Sequence, residues 1–111
     1  MNAQVFLWIA IVAEIIGTTA LKYSNGMTRL VPGLVVASGY GLAFWMLSLA
    51  LKSLPIGFVY AVWAGIGVAA IKAVGVALFK EPLTVTAVLG TALVVAGVAV
   101  LHLSGGGEGG R

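Results

Sequence analysis

Four long apolar runs, separated by three short polar turns, constrain this chain more than any other feature. They are Val5–Leu21, Leu30–Leu51, Ile56–Phe79 and Leu83–Leu103, of 17, 22, 24 and 21 residues. A bilayer crossing needs roughly 17–25 apolar residues, and backbone in hydrocarbon must satisfy its own hydrogen bonds. The runs therefore predict an all-α membrane protein with four transmembrane helices, at about 4–21, 30–51, 56–79 and 83–103. We expect these helices to form one domain, 1–103, followed by a flexible Gly-rich tail, 104–111.

The composition excludes several classes of protein. Only 8% of the residues are charged and 61% are hydrophobic, whereas a soluble domain is about 25% charged. The chain has no Cys, and its single His102 has no acidic neighbour at ligand spacing, so we expect no metal site. The six basic residues are scattered and form no basic face, which argues against nucleic-acid binding. No set of nucleophile, base and metal is present, so we do not expect an enzyme.

The basic residues also say little about orientation in the membrane. One side would carry Lys22, Arg29 and Lys80, and the other Lys52 and Arg111. An excess of Lys and Arg on one side normally sets the topology, and here it is nearly absent. The sequence therefore permits insertion in both orientations.

Glu14 is the most informative residue. Its run is centred on Ala13, which places it about 1.5 Å from the middle of the membrane by helical rise. A carboxylate at that depth is costly and indicates a functional site, because it can hold either a proton or a cation. The structural alternative is a protonated Glu that hydrogen-bonds between helices. Three small residues share its helix face, and they either leave room for a ligand or allow close helix packing: Ala10, Gly17 and Thr18.

Aromatic residues supply the second half of a cation site. Tyr40 and Phe44 are one turn apart on the second helix, and Tyr60 and Trp63 form an i, i+3 pair on the third. Aromatic faces attract organic cations, especially quaternary ones. Ordinary core packing is the alternative for each aromatic taken singly. Together with one carboxylate in the membrane, they favour a binding site for an organic cation.

The remaining features concern helix shape and packing. Gly65 and Gly67 weaken the third helix and predict a bend, with close helix contact as the alternative. Gly90 and Gly97 lie on one face of the fourth helix, which suits packing against another helix such as a copy of itself. Lys72 is interpreted as snorkelling toward the interface, and a pair with Glu14 is the alternative.

The chain resembles the small multidrug resistance family. The resemblance rests on motifs spread over about residues 4–103: Ala10-x-x-x-Glu14-x-x-Gly17-Thr18, the turn Lys22–Arg29, Tyr40 with Phe44 and Trp45, the run Pro55–Trp63 followed by Gly65 and Gly67, and Ala96-Gly97-Val98. One branch of that family exports guanidinium and carries Trp at the position of Gly17 and Ser at that of Ala43. The chain is therefore similar to the other branch, which exports quaternary ammonium compounds.

The resemblance implies an antiparallel homodimer with dual topology in a bacterial plasma (inner) membrane. It implies proton-coupled antiport of lipophilic organic cations by alternating access, with no cofactor other than the coupling proton. Proton and substrate would compete for Glu14, the first three helices would line the site, and the fourth would dimerise. The alternatives are a guanidinium or polyamine exporter of the same family, or a membrane interaction subunit that transports nothing.

Overall fold

The structure, a computed structural model, describes residues 2–103. Those residues form four helices: α1 (Ala3–Tyr23), α2 (Leu30–Ala50), α3 (Ile56–Phe79) and α4 (Val85–Leu103). Each is long and apolar enough to cross a membrane. The chain comprises two compact units, Met1–Lys52 with α1 and α2, and Ser53–Arg111 with α3 and α4. That all four helices make a single domain stays a prediction, and the predicted tail, 104–111, lies outside the described residues.

In the first unit, a tight polar turn reverses the chain between α1 and α2. Ser24 is fully buried, and its hydroxyl donates to the carbonyl of Leu21 at 2.6 Å while accepting from the Met27 amide at 3.0 Å. Asn25, Gly26 and Met27 adopt φ values of 52°, 70° and 67°, a left-handed conformation that ends a helix. These contacts satisfy the polar groups of the turn, so α2 can return along α1.

Small residues bring α1 and α2 close together. A Cβ added to Gly39 would lie 2.9 Å from the carbonyl oxygen of Ala13 and 3.1 Å from the Cα of Gly17. Only glycine fits where two backbones approach this closely. Around this contact lies the buried core of the unit: Leu7, Ala10, Ile11, Ala13, Gly17, Val36, Ala43, Met46 and Ala50.

In the second unit, α3 ends at Phe79, and its C-cap residue Lys80 has a left-handed φ of 55°. The Glu81 amide donates to the carbonyl of Gly75 at 3.0 Å. Earlier in α3, Gly65 faces the side chain of Val98 so closely that a Cβ added to Gly65 would overlap that side chain. The rings of Phe58 and His102 lie 6.2 Å apart. Although α4 therefore contacts α3, none of its described residues is buried.

Four helix ends differ from the sequence expectation. Helix α1 begins at Ala3, one residue early, with Asn2 as its N-cap. Helix α1 continues past Leu21 to Tyr23, because the turn geometry that stops it starts only at Ser24. Helix α2 stops at Ala50, one residue early, with Leu51 as its C-cap. Helix α4 begins at Val85 rather than Leu83, because the hydroxyl of Thr84 accepts from the Ala87 amide at 3.0 Å and caps the helix there.

Candidate functional site

The candidate site is built around Glu14, one residue from the centre of α1. Its side chain is half-buried, whereas Leu7, Ala10, Ile11 and Gly17 on the same side of the helix are buried. The helix itself satisfies the backbone hydrogen bonds at this depth. The carboxylate is therefore the group at this level that needs polar partners.

Two hydroxyl groups supply those partners in series. The Thr18 hydroxyl donates to Oε2 of Glu14 at 2.5 Å, and the oxygens of Thr18 and Tyr40 lie 2.7 Å apart. An ionised carboxylate only accepts hydrogen bonds, while a hydroxyl has one hydrogen to donate. When Thr18 gives its hydrogen to Glu14, the bond between the two hydroxyls must be donated by Tyr40. The result is a directed chain from Tyr40 through Thr18 to Glu14.

The sequence explains why these three residues meet. Thr18 follows Glu14 by four positions, so both side chains project from the same face of α1. Tyr40 comes from α2, and its ring lies against Gly17, where an added Cβ would sit 2.9 Å from Cδ1. The adjacent Gly39 allows the close backbone approach described above. The predicted small face of α1 thus packs α1 against α2 and brings the Tyr40 hydroxyl to Thr18.

Phe44 extends the aromatic surface beside this chain of hydrogen bonds. Its ring centroid lies 6.4 Å from that of Tyr40, and the two ring planes are tilted by 45°. Phe44 is 62% exposed, so it presents aromatic surface outward from its helix. The first unit therefore brings together Glu14, Thr18, Tyr40 and Phe44 from the predicted site. Gly17 packs against the Tyr40 ring, and Ala10 is buried one turn before Glu14.

The other predicted site residues lie in the second unit. Tyr60 is 75% exposed, and Trp63, one turn further along α3, is half-buried. Gly65 packs against Val98, Gly67 is buried, and α3 is continuous through both. The predicted bend there stays a prediction. On α4, a Cβ at Gly90 or Gly97 would meet nothing within 4 Å.

The role of the Tyr40 hydroxyl does not follow from the interpretation of Tyr40 as an aromatic face. A signal was present in the turn at Asn25-Gly26, which makes α1 and α2 neighbours. Residues at similar distances from the two helix ends at such a turn lie at a similar level. Glu14 is nine residues before the end of α1, and Tyr40 is ten residues after the start of α2. As for metals, no group of three or more His, Cys, Asp or Glu side chains comes together within residues 2–103.

Comparison with known proteins identifies the family. The family model described as Small Multidrug Resistance protein matches residues 2–94. The chain belongs to the small multidrug resistance family. It is therefore a multi-pass membrane protein of a transporter family and not an enzyme.

Relatives of this small multidrug resistance protein are bacterial and match nearly end to end. It is 52% identical to the quaternary ammonium compound-resistance protein QacF of Klebsiella aerogenes, and 50% identical to QacE of Escherichia coli. Its identity to the multidrug transporter EmrE of Escherichia coli K12 is 39%. Each match covers 93% of this chain and 94% of the relative. The resemblance to the quaternary ammonium branch is confirmed.

Proposed function

We propose that this protein is a proton-coupled antiporter that exports hydrophobic and quaternary ammonium cations by alternating access. The observation that carries the proposal is the half-buried Glu14 carboxylate in the middle of α1, linked through Thr18 to Tyr40. A carboxylate placed there binds a proton or a cation, and it cannot bind both at once. The names of QacF and QacE support quaternary ammonium compounds as the substrate class.

Competition at one carboxylate is sufficient to couple the two fluxes. A cation that binds ionised Glu14 excludes the proton, and a proton that binds Glu14 removes the charge that holds the cation. Each ligand therefore lowers the affinity of the site for the other, to the extent that it prefers ionised or protonated Glu14. Proton entry on the acidic side of the membrane then favours release of the cation on that side.

The hydrogen bonds from Tyr40 through Thr18 to Glu14 have two well-defined arrangements, one for each protonation state of Glu14. With Glu14 ionised, hydrogen bonds run from Tyr40 to Thr18 to the carboxylate. With Glu14 protonated, the acid can itself donate, so Thr18 is free to turn its hydrogen toward Tyr40. The direction of these hydrogen bonds thus follows the protonation of Glu14.

Aromatic residues supply the cation-binding surface in this proposal. In the first unit, Tyr40 is linked to Glu14 through Thr18, and the Phe44 ring lies 6.4 Å from that of Tyr40. Tyr60 and Trp63 of α3 provide the second aromatic pair in the proposal. A quaternary ammonium ion cannot donate hydrogen bonds, so it is held by the carboxylate charge and by ring faces. Ala10, Gly17 and the buried Ala43 keep side-chain bulk low near the site, which suits large substrates.

The working unit in this proposal is an antiparallel homodimer, with Gly90 and Gly97 of α4 in the contact between copies. Two observations support it. None of the described residues of α4 is buried, and the space beside both glycines is open. The balance of basic residues between the two sides, given above, permits opposite orientations. In such a dimer, a bend at Gly65 and Gly67 would exchange the conformations of the two protomers and move the opening to the other side.

Proton release on substrate binding tests the exchange directly. Tetraphenylphosphonium is added to purified protein in weakly buffered detergent, and the pH change is recorded. We expect the wild type to release protons and Glu14→Gln to release none. The matched control is Glu81→Gln, which removes a carboxylate from the turn after α3 and should leave proton release intact.

Transport in liposomes tests coupling. With an imposed pH gradient, we expect the wild type and Glu81→Gln to accumulate the cation and Glu14→Gln to lose accumulation. Proton-driven accumulation by Glu14→Gln would contradict the mechanism. Proton release with guanidinium and none with tetraphenylphosphonium would contradict the substrate class and favour the guanidinium branch. No release with either, or with a polyamine, would favour the interaction subunit that transports nothing.

A further inference from the structure

A groove runs along the second unit between α3 and α4. It has a volume of about 610 Å³, which is within the range of ligand sites. Eight of its ten lining residues are apolar, and the other two are Lys72 and Thr91. The lining of α4 extends from Ala87 to Val95, about 12 Å of helix. The groove is therefore long, apolar and shaped for an extended hydrocarbon chain.

Lys72 places a positive charge in this apolar lining. It lies four to five residues beyond the centre of α3, about 7 Å along the helix axis, in a hydrocarbon core with a half-thickness of about 15 Å. Its side chain is exposed, and no ion pair of Lys72 is seen within residues 2–103. A cation at this depth is costly without an anionic partner. Its aliphatic stem lets the ammonium reach toward the interface, where such partners are found.

We propose that this groove binds an anionic phospholipid, with an acyl chain between α3 and α4 and the phosphate paired with the Lys72 ammonium. The apolar lining contacts the acyl chain, and the Thr91 hydroxyl, also in the lining, provides a hydrogen-bond donor. Lys80, exposed at the end of α3, adds positive charge at the membrane surface. Every residue of this site belongs to the second unit, so the proposal does not depend on exchange at Glu14.

Charge and shape favour a phospholipid over two other occupants. A lipophilic cation would be repelled by Lys72. A helix of a second copy would bury the ammonium without a counter-charge, because no apolar run of this chain offers an acid at the depth of Lys72. An anionic phospholipid supplies both an acyl chain and a charge of the required sign, and attraction to anionic lipid contributes about 1 kcal/mol per basic residue.

Native mass spectrometry of lipid adducts tests the site. The protein is reconstituted in nanodiscs of dioleoyl phosphatidylcholine and dioleoyl phosphatidylglycerol, released, and scored for retained lipid per chain. We expect retention of phosphatidylglycerol over phosphatidylcholine, and a loss of about fivefold in Lys72→Gln, which corresponds to one basic residue at an anionic lipid. Lys80→Gln also removes one positive charge, next to the C-terminus of α3. This variant should lose less than half of the preference for phosphatidylglycerol over phosphatidylcholine.

A second variant keeps the charge and fills the groove. Ala87→Phe should lower phosphatidylglycerol retention with Lys72 in place, whereas Ala96→Phe, at an exposed position of α4 outside the lining, should not. Far-UV circular dichroism and size-exclusion chromatography confirm that each variant is folded. Equal retention of the two lipids by the wild type would overturn the proposal, as would equal losses in Lys72→Gln and Lys80→Gln. Equal losses in Ala87→Phe and Ala96→Phe would show that the groove holds no acyl chain.

Discussion

Replacement of Gly39 by alanine tests the close approach of α1 and α2 on which the candidate site depends. The added Cβ would lie 2.9 Å from the carbonyl oxygen of Ala13 and 3.1 Å from both N and Cα of Gly17, whereas ordinary van der Waals contact starts at 3.4 Å. All three neighbours are backbone atoms, so no side-chain rotation can relieve the overlap. The helices themselves must separate, and overpacking of this kind costs about 1–3 kcal/mol.

Gly41→Ala provides the matched control, because its Cβ would meet nothing within 4 Å. Both substitutions replace a glycine inside α2, so both gain the same helix propensity, up to about 1 kcal/mol. The difference in unfolding free energy between the two variants therefore isolates the overpacking. We expect Gly39→Ala to be less stable than Gly41→Ala by about 2 kcal/mol, within the range for overpacked sites.

The unfolding free energy of Gly17→Ala should fall between those of Gly39→Ala and Gly41→Ala. Its nearest neighbours are Cδ1 and Cε1 of Tyr40, at 2.9 and 3.0 Å, and a ring can move where a backbone cannot. The movement would displace the Tyr40 hydroxyl from Thr18, now at 2.7 Å. The stability cost should be near the lower limit, about 1 kcal/mol, but affinity for tetraphenylphosphonium should fall about tenfold if the hydrogen bond is lost.

Equilibrium unfolding in detergent micelles titrated with sodium dodecyl sulfate, followed by circular dichroism, measures the stability of all three variants. Isothermal titration calorimetry measures their affinity for the cation. Equal stability of Gly39→Ala and Gly41→Ala would refute the close approach. Wild-type affinity in a folded Gly17→Ala would refute the link between that contact and the position of Tyr40.

Two other changes probe single contacts. Thr18→Val removes the bridging hydroxyl at nearly constant volume. It should weaken cation binding about tenfold or more, because hydrogen bonds to charged groups contribute about 1.5–3 kcal/mol. Calorimetry should show that Thr18→Ser recovers the affinity, and an equal loss of affinity in both variants would indicate a packing role. In the second unit, Gly65→Ala should lower the unfolding free energy through overlap with Val98 by about 1–3 kcal/mol. The double variant Gly65→Ala, Val98→Ala should recover most of the lost unfolding free energy in the same assay. If it recovers none, the overlap with Val98 is not the cause of the loss.

Hydropathy alone predicts much of the architecture, because a bilayer imposes both the length and the type of each spanning element. The start of α2 and both ends of α3 are at the predicted residues. Most of the helix ends that differ are set by polar side-chain contacts that hydropathy does not record. Thr84 caps α4 with its hydroxyl, and Ser24 organises the turn that follows α1.

The candidate site is less predictable than the helices. The cost of a carboxylate in the membrane singles out Glu14, and the i, i+4 spacing adds Thr18. The contact of Tyr40 with Thr18 is harder to predict, because the Tyr40 hydroxyl reaches Thr18 only at one rotation of α2 about its axis. That rotation is fixed by Gly17 and Gly39, whose sequence signal is the same as that of any small residue at a helix contact. Sequence therefore indicates which residues are polar in the membrane, and packing decides which of them meet.

Packing and chemistry are consequently inseparable in the first unit. The glycines that let α1 and α2 approach also bring the Tyr40 hydroxyl within 2.7 Å of Thr18, next to Glu14. A substitution that separates the helices must therefore lower stability and disturb the proposed exchange site together. A substitution at Thr18, which is half-buried and contacts Tyr40 through its hydroxyl, can disturb the site alone. The ratio of lost affinity to lost stability should thus be small for Gly39→Ala and large for Thr18→Val, and this ratio distinguishes a residue that positions α2 from one that contacts the carboxylate.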